Sequence, residues 1–180
     1  MKKIIWKPYY DYEREEKWLN EMAARGLAMT RYTWCRYEFE ETPPGEYVYR
    51  IEMLKEHAGH PESRRYIEFT EETGAECVAT YLRWVYFRKK AALGPFELYS
   101  DNESRITHYR RVRGFWLLML FIECGLAANT FRMVFDRPLS TLKLAFLSLL
   151  LIFIVIFAFL SVRLTLKIGR LKREGRVTEG

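Results

Sequence analysis

Few side chains in this sequence of 180 residues carry chemistry, and they are scattered. The nearest thing to a metal-binding cluster is Glu56, His57, His60 and Glu62, in a polar stretch with no further ligand close by. A structural or catalytic zinc site draws on at least three protein ligands, so a solvated loop is expected there. Cys35, Cys77 and Cys124 are odd in number, far apart and in no Cys-x-x-Cys pair, which reads as reduced thiols in a cytoplasmic setting. No Ser-His-Asp, Cys-His, phosphate-loop or paired-carboxylate spacing occurs, so neither catalysis nor a cofactor is expected.

The residue most out of place is Glu123. It lies inside an apolar run from Gly114 to Phe131, 18 residues that nearly cross a hydrocarbon core of about 30 Å at a rise of about 1.5 Å each. Counting on to Phe135 completes the crossing. A second run, Leu142 to Val162, contains one charge, Lys143, close enough to the end to snorkel. A carboxylate near mid-bilayer costs a few kcal/mol at least. Around Leu151 to Val155, where the second run returns at that depth, no polar side chain waits, so Glu123 either sits there neutral or meets a partner outside the hairpin. Cys124, Gly125 and Ala128 add small side chains that would let another helix approach.

The two runs make an antiparallel transmembrane hairpin, and charge gives its direction. Ten Lys and Arg flank the ends nearest the termini, against three at the connecting loop. The positive-inside bias therefore places both termini in the cytoplasm at a cell membrane. Residues 1–104 carry 16 basic against 19 acidic side chains, and residues 105–180 carry 13 against 4. The overall charge of +6 thus belongs to the membrane flanks. Arg110, Arg111, Arg113, Arg163, Lys167, Arg170, Lys172 and Arg173 are the expected contacts to anionic lipid headgroups, and no direct nucleic-acid binding is expected. Met1 to Pro8 lacks the apolar core of a signal peptide, so export of the head is not expected.

The head itself reads as alternating elements. A short strand at Ile4 to Trp6 precedes a helix capped by Asp11 and closed by Gly26. Residues 27–54 read as a β-hairpin turning at Pro43-Pro44-Gly45. A helix from Pro61 to Thr73 follows, then a strand from Cys77 to Phe87 and a short return at Phe96 to Tyr99. The order βαββαβ is that of a ferredoxin-like α+β fold, with no internal repeat evident. Tyr32, Trp34, Tyr81, Trp84 and Tyr86 could form an aromatic platform of the kind that stacks RNA bases. The acidic head points instead to covered core or to a face for a protein or small molecule. Asp101 caps a helix that runs without Gly or Pro through Arg113 into the first span. The expected layout is head 1–101, basic helix 102–113, spans 114–135 and 142–162 joined by an external loop 136–141, and a basic cytoplasmic tail 163–180.

Several stretches resemble a known family. They are Glu16-Lys-Trp-Leu-Asn-Glu-Met-Ala-Ala-Arg-Gly-Leu27, Tyr47-Val-Tyr-Arg-Ile51, Tyr86-Phe-Arg-Lys-Lys90, Gly94-Pro-Phe-Glu-Leu-Tyr-Ser-Asp101 and Ile106-Thr-His-Tyr-Arg110. Together they resemble the DUF2812 family of Gram-positive bacterial membrane proteins, over roughly residues 1 to 112. The resemblance implies a cytoplasmic head followed by two or more spans, and genes often beside PadR-type transcription regulators. It carries over no catalytic residue, and it singles out Arg88, Lys89, Glu97, Tyr99 and Asp101 as the head motif. The resulting expectation is a membrane-anchored sensor or regulatory accessory that binds a protein partner or small ligand and self-associates or assembles through its hairpin. The alternatives are a non-catalytic transporter subunit and, less favoured, an enzyme acting on lipid or envelope precursors.

Overall fold

A computed structural model describes residues 2–99, 101–135 and 140–178, the last residues of each long helix (133–135 and 175–178) by backbone alone. The chain forms two compact units, Met1–Ser100 and Asp101–Gly180. The first is built twice. β1 (Lys3–Trp6), α1 (Tyr12–Ala24), β2 (Leu27–Thr33) and β3 (Arg36–Glu41) are followed by β4 (Tyr47–Met53), α2 (Pro61–Glu72), β5 (Ala75–Tyr81) and β6 (Trp84–Lys90). Each βαββ half makes its own antiparallel three-stranded sheet, in the orders β1-β3-β2 and β4-β6-β5.

From the ends of their helices onward the halves correspond at a step of 48 residues. Gly26 answers to Gly74, β2 begins at Leu27 and β5 at Ala75, and β3 begins at Arg36 and β6 at Trp84. Even the irregularity is repeated: the ladder slips between Met29 and Arg31 in one half and between Cys77 and Ala79 in the other. The two glycines hold φ of +80° and +86°, a conformation that stops each helix and that a side chain would strain.

This architecture corrects four expectations. The strands form two three-stranded sheets in the order βαβββαββ, where a ferredoxin-like βαββαβ chain would build one sheet. Residues 27–41 are already a hairpin, turning at Trp34 and Cys35 with φ of 33° and 64°. β4 pairs with β6, so Pro43-Pro44-Gly45 joins the two halves. Residues 75–90 likewise turn at Leu82 and Arg83, and Phe96 to Tyr99 is not a strand. Neither turn has the Gly, Asn or Asp that two-residue hairpins favour, so neither was visible as a turn.

The two halves share a core. Leu19, Met22, Met29, Tyr37 and Phe39 from the first pack with Tyr49, Ile51 and Tyr86 from the second. The second half adds a smaller cluster of Leu54, Val85, Phe87 and Phe96. α1 also crosses between the halves with polar side chains, and these complete the outer edge of β4. Asn20 donates to the Tyr49 carbonyl at 3.1 Å and accepts from the Tyr49 N–H at 2.8 Å. Glu16 accepts the Ile51 N–H at 2.8 Å. An edge strand left bare would present these groups to other chains.

The second unit is a pair of long helices, α3 (Asn102–Phe135) and α4 (Thr141–Thr178). The Asp101 side chain accepts the Ser104 N–H at 2.7 Å and so caps α3. The 34 residues of α3 make a helix roughly 50 Å long, more than a bilayer core requires. Asn102–Arg132 and Thr141–Glu174 are long and apolar enough to cross a membrane. Residues 136–139 of the expected external loop lie outside the described residues.

Removing the Asn20 side chain should expose the value of the edge contact. Asn20→Ala leaves the Tyr49 N–H unpaired and the Tyr49 carbonyl with only the Arg50 guanidinium, at 2.9 Å, so it should destabilise the first unit by about 1–3 kcal/mol. Chemical denaturation of the detergent-solubilised protein, followed by tryptophan fluorescence, would measure this. A midpoint equal to that of the native sequence would mean that α1 does not secure the edge of β4.

Candidate functional site

The most chemically unusual group in the head is Glu15, one helical turn before Leu19 on the inward face of α1 and only 6% exposed. Two tyrosine hydroxyls donate to it: Tyr37 of β3 at 2.6 Å and Tyr86 of β6 at 2.8 Å. One tyrosine therefore comes from each sheet, and the carboxylate joins the halves at their centre. Both bonds fall on Oε1, and Oε2 takes no hydrogen bond among the described residues.

Aromatic rings surround this carboxylate. Tyr32 of β2 packs on Tyr37 and on Tyr86, each at a centroid separation of 4.8 Å, and meets the edge of Tyr81 at 5.6 Å. Trp18 turns its edge to Tyr37 at 4.9 Å, and Tyr12 contacts Trp84 at 5.4 Å. The aromatic residues that could have formed an open platform are thus partly folded inward around a buried acid, in line with the covered core that the acidic head pointed to. Trp34, at the β2–β3 turn, is the exposed exception at 68%.

Burial dominates the electrostatics. It pushes the Glu15 carboxyl above its ordinary range, against the pull of the Tyr37 and Tyr86 hydroxyls. Burial and the nearby Glu15 charge push the Tyr37 and Tyr86 phenols up in turn, so both remain donors. Cys35 is raised by the same two causes, and Cys77 is pushed up to about 11 by burial and by Glu71 and Glu76. Both are protonated thiols near neutral pH, without the activation a nucleophile needs.

A second buried carboxylate, Glu52 on β4, is 4% exposed and accepts from the Tyr66 hydroxyl. Tyr99 also turns to it, and burial followed by that charge raises the Tyr99 phenol. The other head residues singled out by motif do not join this group. Arg88 forks onto Glu76 at 2.7 and 3.0 Å, approaches Glu40 at 3.7 Å, donates to the Met29 carbonyl at 3.3 Å and covers the Tyr47 ring at 4.5 Å. It fastens β6 to strands of both sheets. Lys89 lies 6.0 Å from the Phe96 ring centroid, Glu97 is exposed, and Asp101 caps α3. His57 and His60 accept the backbone N–H groups of Gly59 and Glu62, which makes them local caps.

In the helix pair, Trp116 stacks on Phe157 at 5.4 Å, Arg113 donates to Thr165 at 3.4 Å, and the Lys167 ammonium lies over Tyr109 at 5.3 Å. This antiparallel register brings Arg110, Arg111 and Arg113 level with Arg163, Lys167 and Arg170. A groove of about 270 Å³ beside α4 is lined by Phe159, Val162, Arg163, Leu166, Lys167 and Arg170. Lys172 and Arg173 lie beyond it, exposed. Glu123 is half-buried with Oε2 enclosed and without a hydrogen-bond partner among the described residues. Cys124, Gly125 and Ala128 are exposed, so the small side chains look outward while Glu123 is partly covered.

Sequence patterning did not single out Glu15, which sits in the charged run Glu13-Arg14-Glu15-Glu16-Lys17 and reads there as solvated. Its one distinguishing signal is position: it precedes buried Leu19 by four and Met22 by seven, on the apolar stripe of α1.

Residues 11–121 match the family model described as a protein of unknown function, DUF2812. No curated protein and no solved structure matches.

The raised Glu15 carboxyl sets a sign for pH dependence. Its proton is held more tightly in the folded chain, so its contribution to stability is fully present below its ordinary 4.5 and is lost as pH rises through the folded value. Glu15→Gln cannot ionise and should lack this loss, so its stability relative to the native sequence should improve as pH rises from 4 toward 7. Denaturation midpoints of both proteins across that range provide the measurement; parallel curves would place Glu15 in water.

Proposed function

We propose that this chain, which belongs to the DUF2812 family, is a membrane-anchored regulatory accessory whose head binds a small ligand or protein partner on the cytoplasmic side. The observation that carries this reading is α3. It starts directly after the head in sequence and runs unbroken for 34 residues, with neither Gly nor Pro ahead of Gly114, so the basic residues 105–113 and the apolar length form one rod. A rigid rod of that kind passes a change at one end to the other more readily than a flexible linker does.

Two further observations support it. The basic residues at the matching ends of α3 and α4 suit an anionic inner leaflet, where each charge is worth about 1 kcal/mol. The family match covers the Glu15 and Glu52 clusters and the first part of α3 but not α4, which points to the head as the working part and α4 as its mooring. In this reading both termini are cytoplasmic, the thiols stay reduced, and no bond chemistry is performed.

A second role attaches to Glu123. An enclosed carboxylate oxygen in an apolar helix, beside an outward strip of Cys124, Gly125 and Ala128, favours assembly with a further helix, as in a transporter subunit.

The anchoring is tested by fractionation. The full-length chain should sediment with membranes through high salt and alkaline carbonate and leave them only with detergent, and an amino-terminal tag should survive protease added outside intact cells. Affinity capture of the detergent-extracted chain should then return a specific bound protein. Release by salt alone, or digestion of the tag, would end the anchored, cytoplasm-facing reading.

A further inference from the structure

We infer that the Glu15 cluster is a binding site for a hydrophobic organic cation, a quaternary ammonium or a protonated amine carrying an aromatic or alkyl body. This deepens the ligand-binding reading of the head and rests on it.

A carboxylate taken out of water normally acquires a cation or several strong donors, because the uncompensated charge is costly. Glu15 has two hydroxyl donors, both on Oε1, and among the described residues no Lys, Arg or His contributes to its electrostatics. Oε2 is the open position, on a side chain 94% buried (6% exposed). Tyr37 and Tyr86 hold the carboxylate through Oε1, Tyr32 packs on both of their rings, and Trp18 packs on Tyr37. Facing groups that titrate are those three phenols and the Cys35 thiol, all held neutral by burial as their first cause. The site thus combines one negative charge with electron-rich ring faces and offers no positive partner of its own. A cation is attracted both by the carboxylate and by the ring quadrupoles, most strongly where water is excluded. An anion would meet repulsion and a neutral body would gain only contact area.

The same aromatic group already holds one ammonium at its rim. Lys7 Nζ lies 4.9 Å from the Trp18 ring centroid and 5.0 Å from that of Tyr9, and Trp18 turns its edge to Tyr37 and Phe39. Because Tyr37 and Tyr86 come from different sheets, filling the site favours one arrangement of the two halves over others, which is what a ligand must do to shift a conformational equilibrium.

Calorimetric titration of the full-length chain in zwitterionic-lipid nanodiscs tests this, with empty nanodiscs as the blank and benzyltrimethylammonium as the probe. The expected result is saturable binding, at least tenfold weaker in Glu15→Gln, with none for benzenesulfonate, which has a similar ring and the opposite charge. Should Glu15→Gln fail to fold by circular dichroism, Tyr32→Leu removes a ring beside the acid without touching the Oε1 bonds and should weaken binding at least fivefold. Equal affinity in the native sequence and the folded variant, or no binding by the native sequence at millimolar probe, overturns the inference. Membrane fractionation is read separately: a chain that stays anchored and captures its protein partner but binds no cation retains the regulatory reading and loses only this ligand class.

Discussion

The folded head depends on a charge held away from water. Glu15 is buried on α1 of the first half, and its hydrogen bonds come from β3 of the same half and β6 of the other. A buried carboxylate is tolerable only while its donors remain in place, so the two sheets must keep their relative position for the acid to stay satisfied. Beside it on the same helix, Glu16 and Asn20 close the edge of β4. α1 therefore serves both halves at once. Its apolar residues fill the shared core and its polar residues define how the second half is placed. Such contacts stabilise less than apolar packing of equal area would, but they are directional, and they specify one arrangement among many.

The repeated βαββ plan lets a head of this size bring two sheets around a single acid. Each half is a strand, a helix and a hairpin, too small to bury a core alone, and the core that forms is common to both. Matching positions do different work. Glu15 corresponds to Ser63, and both are buried; Tyr37 corresponds to Val85, and both are fully covered. Position kept the burial while chemistry changed. The more polar member of each pair lies in the first half, which is why the unusual carboxylate has one copy and not two.

The helix pair follows simpler physics. A helix satisfies its own backbone hydrogen bonds, so an apolar run of sufficient length can enter lipid with no partner sheet. α3 and α4 combine such runs with basic ends that lie level with each other, through Arg113 on Thr165 and Lys167 over Tyr109. Glu123 interrupts this pattern, and its partial burial separates it from the outward small residues that neighbour it in sequence. Adjacent residues on a helix are about 100° apart, so nearness in the chain did not mean a shared face.

Sequence alone determined what depends on local order. The apolar runs, the asymmetry of Lys and Arg, the caps at Asp11 and Asp101, the helix stops at Gly26 and Gly74 and the first-turn Pro61 are all statements about neighbours a few residues apart, and the helices formed where those signals stood. Pairing of strands was decided in three dimensions. The turns at Trp34-Cys35 and Leu82-Arg83 carry no turn residues, while Pro43-Pro44-Gly45 carries strong ones, so pattern alone sets the hairpins one strand too late. The repeat was hidden because, from α1 to β3 at the step of 48, only Gly26 with Gly74 and Phe39 with Phe87 keep the same residue. Glu15 was hidden for the same physical reason. A carboxylate in a charged helical run is solvated unless something distant covers it, and the residues that cover it, Tyr37 and Tyr86, are 22 and 71 positions away.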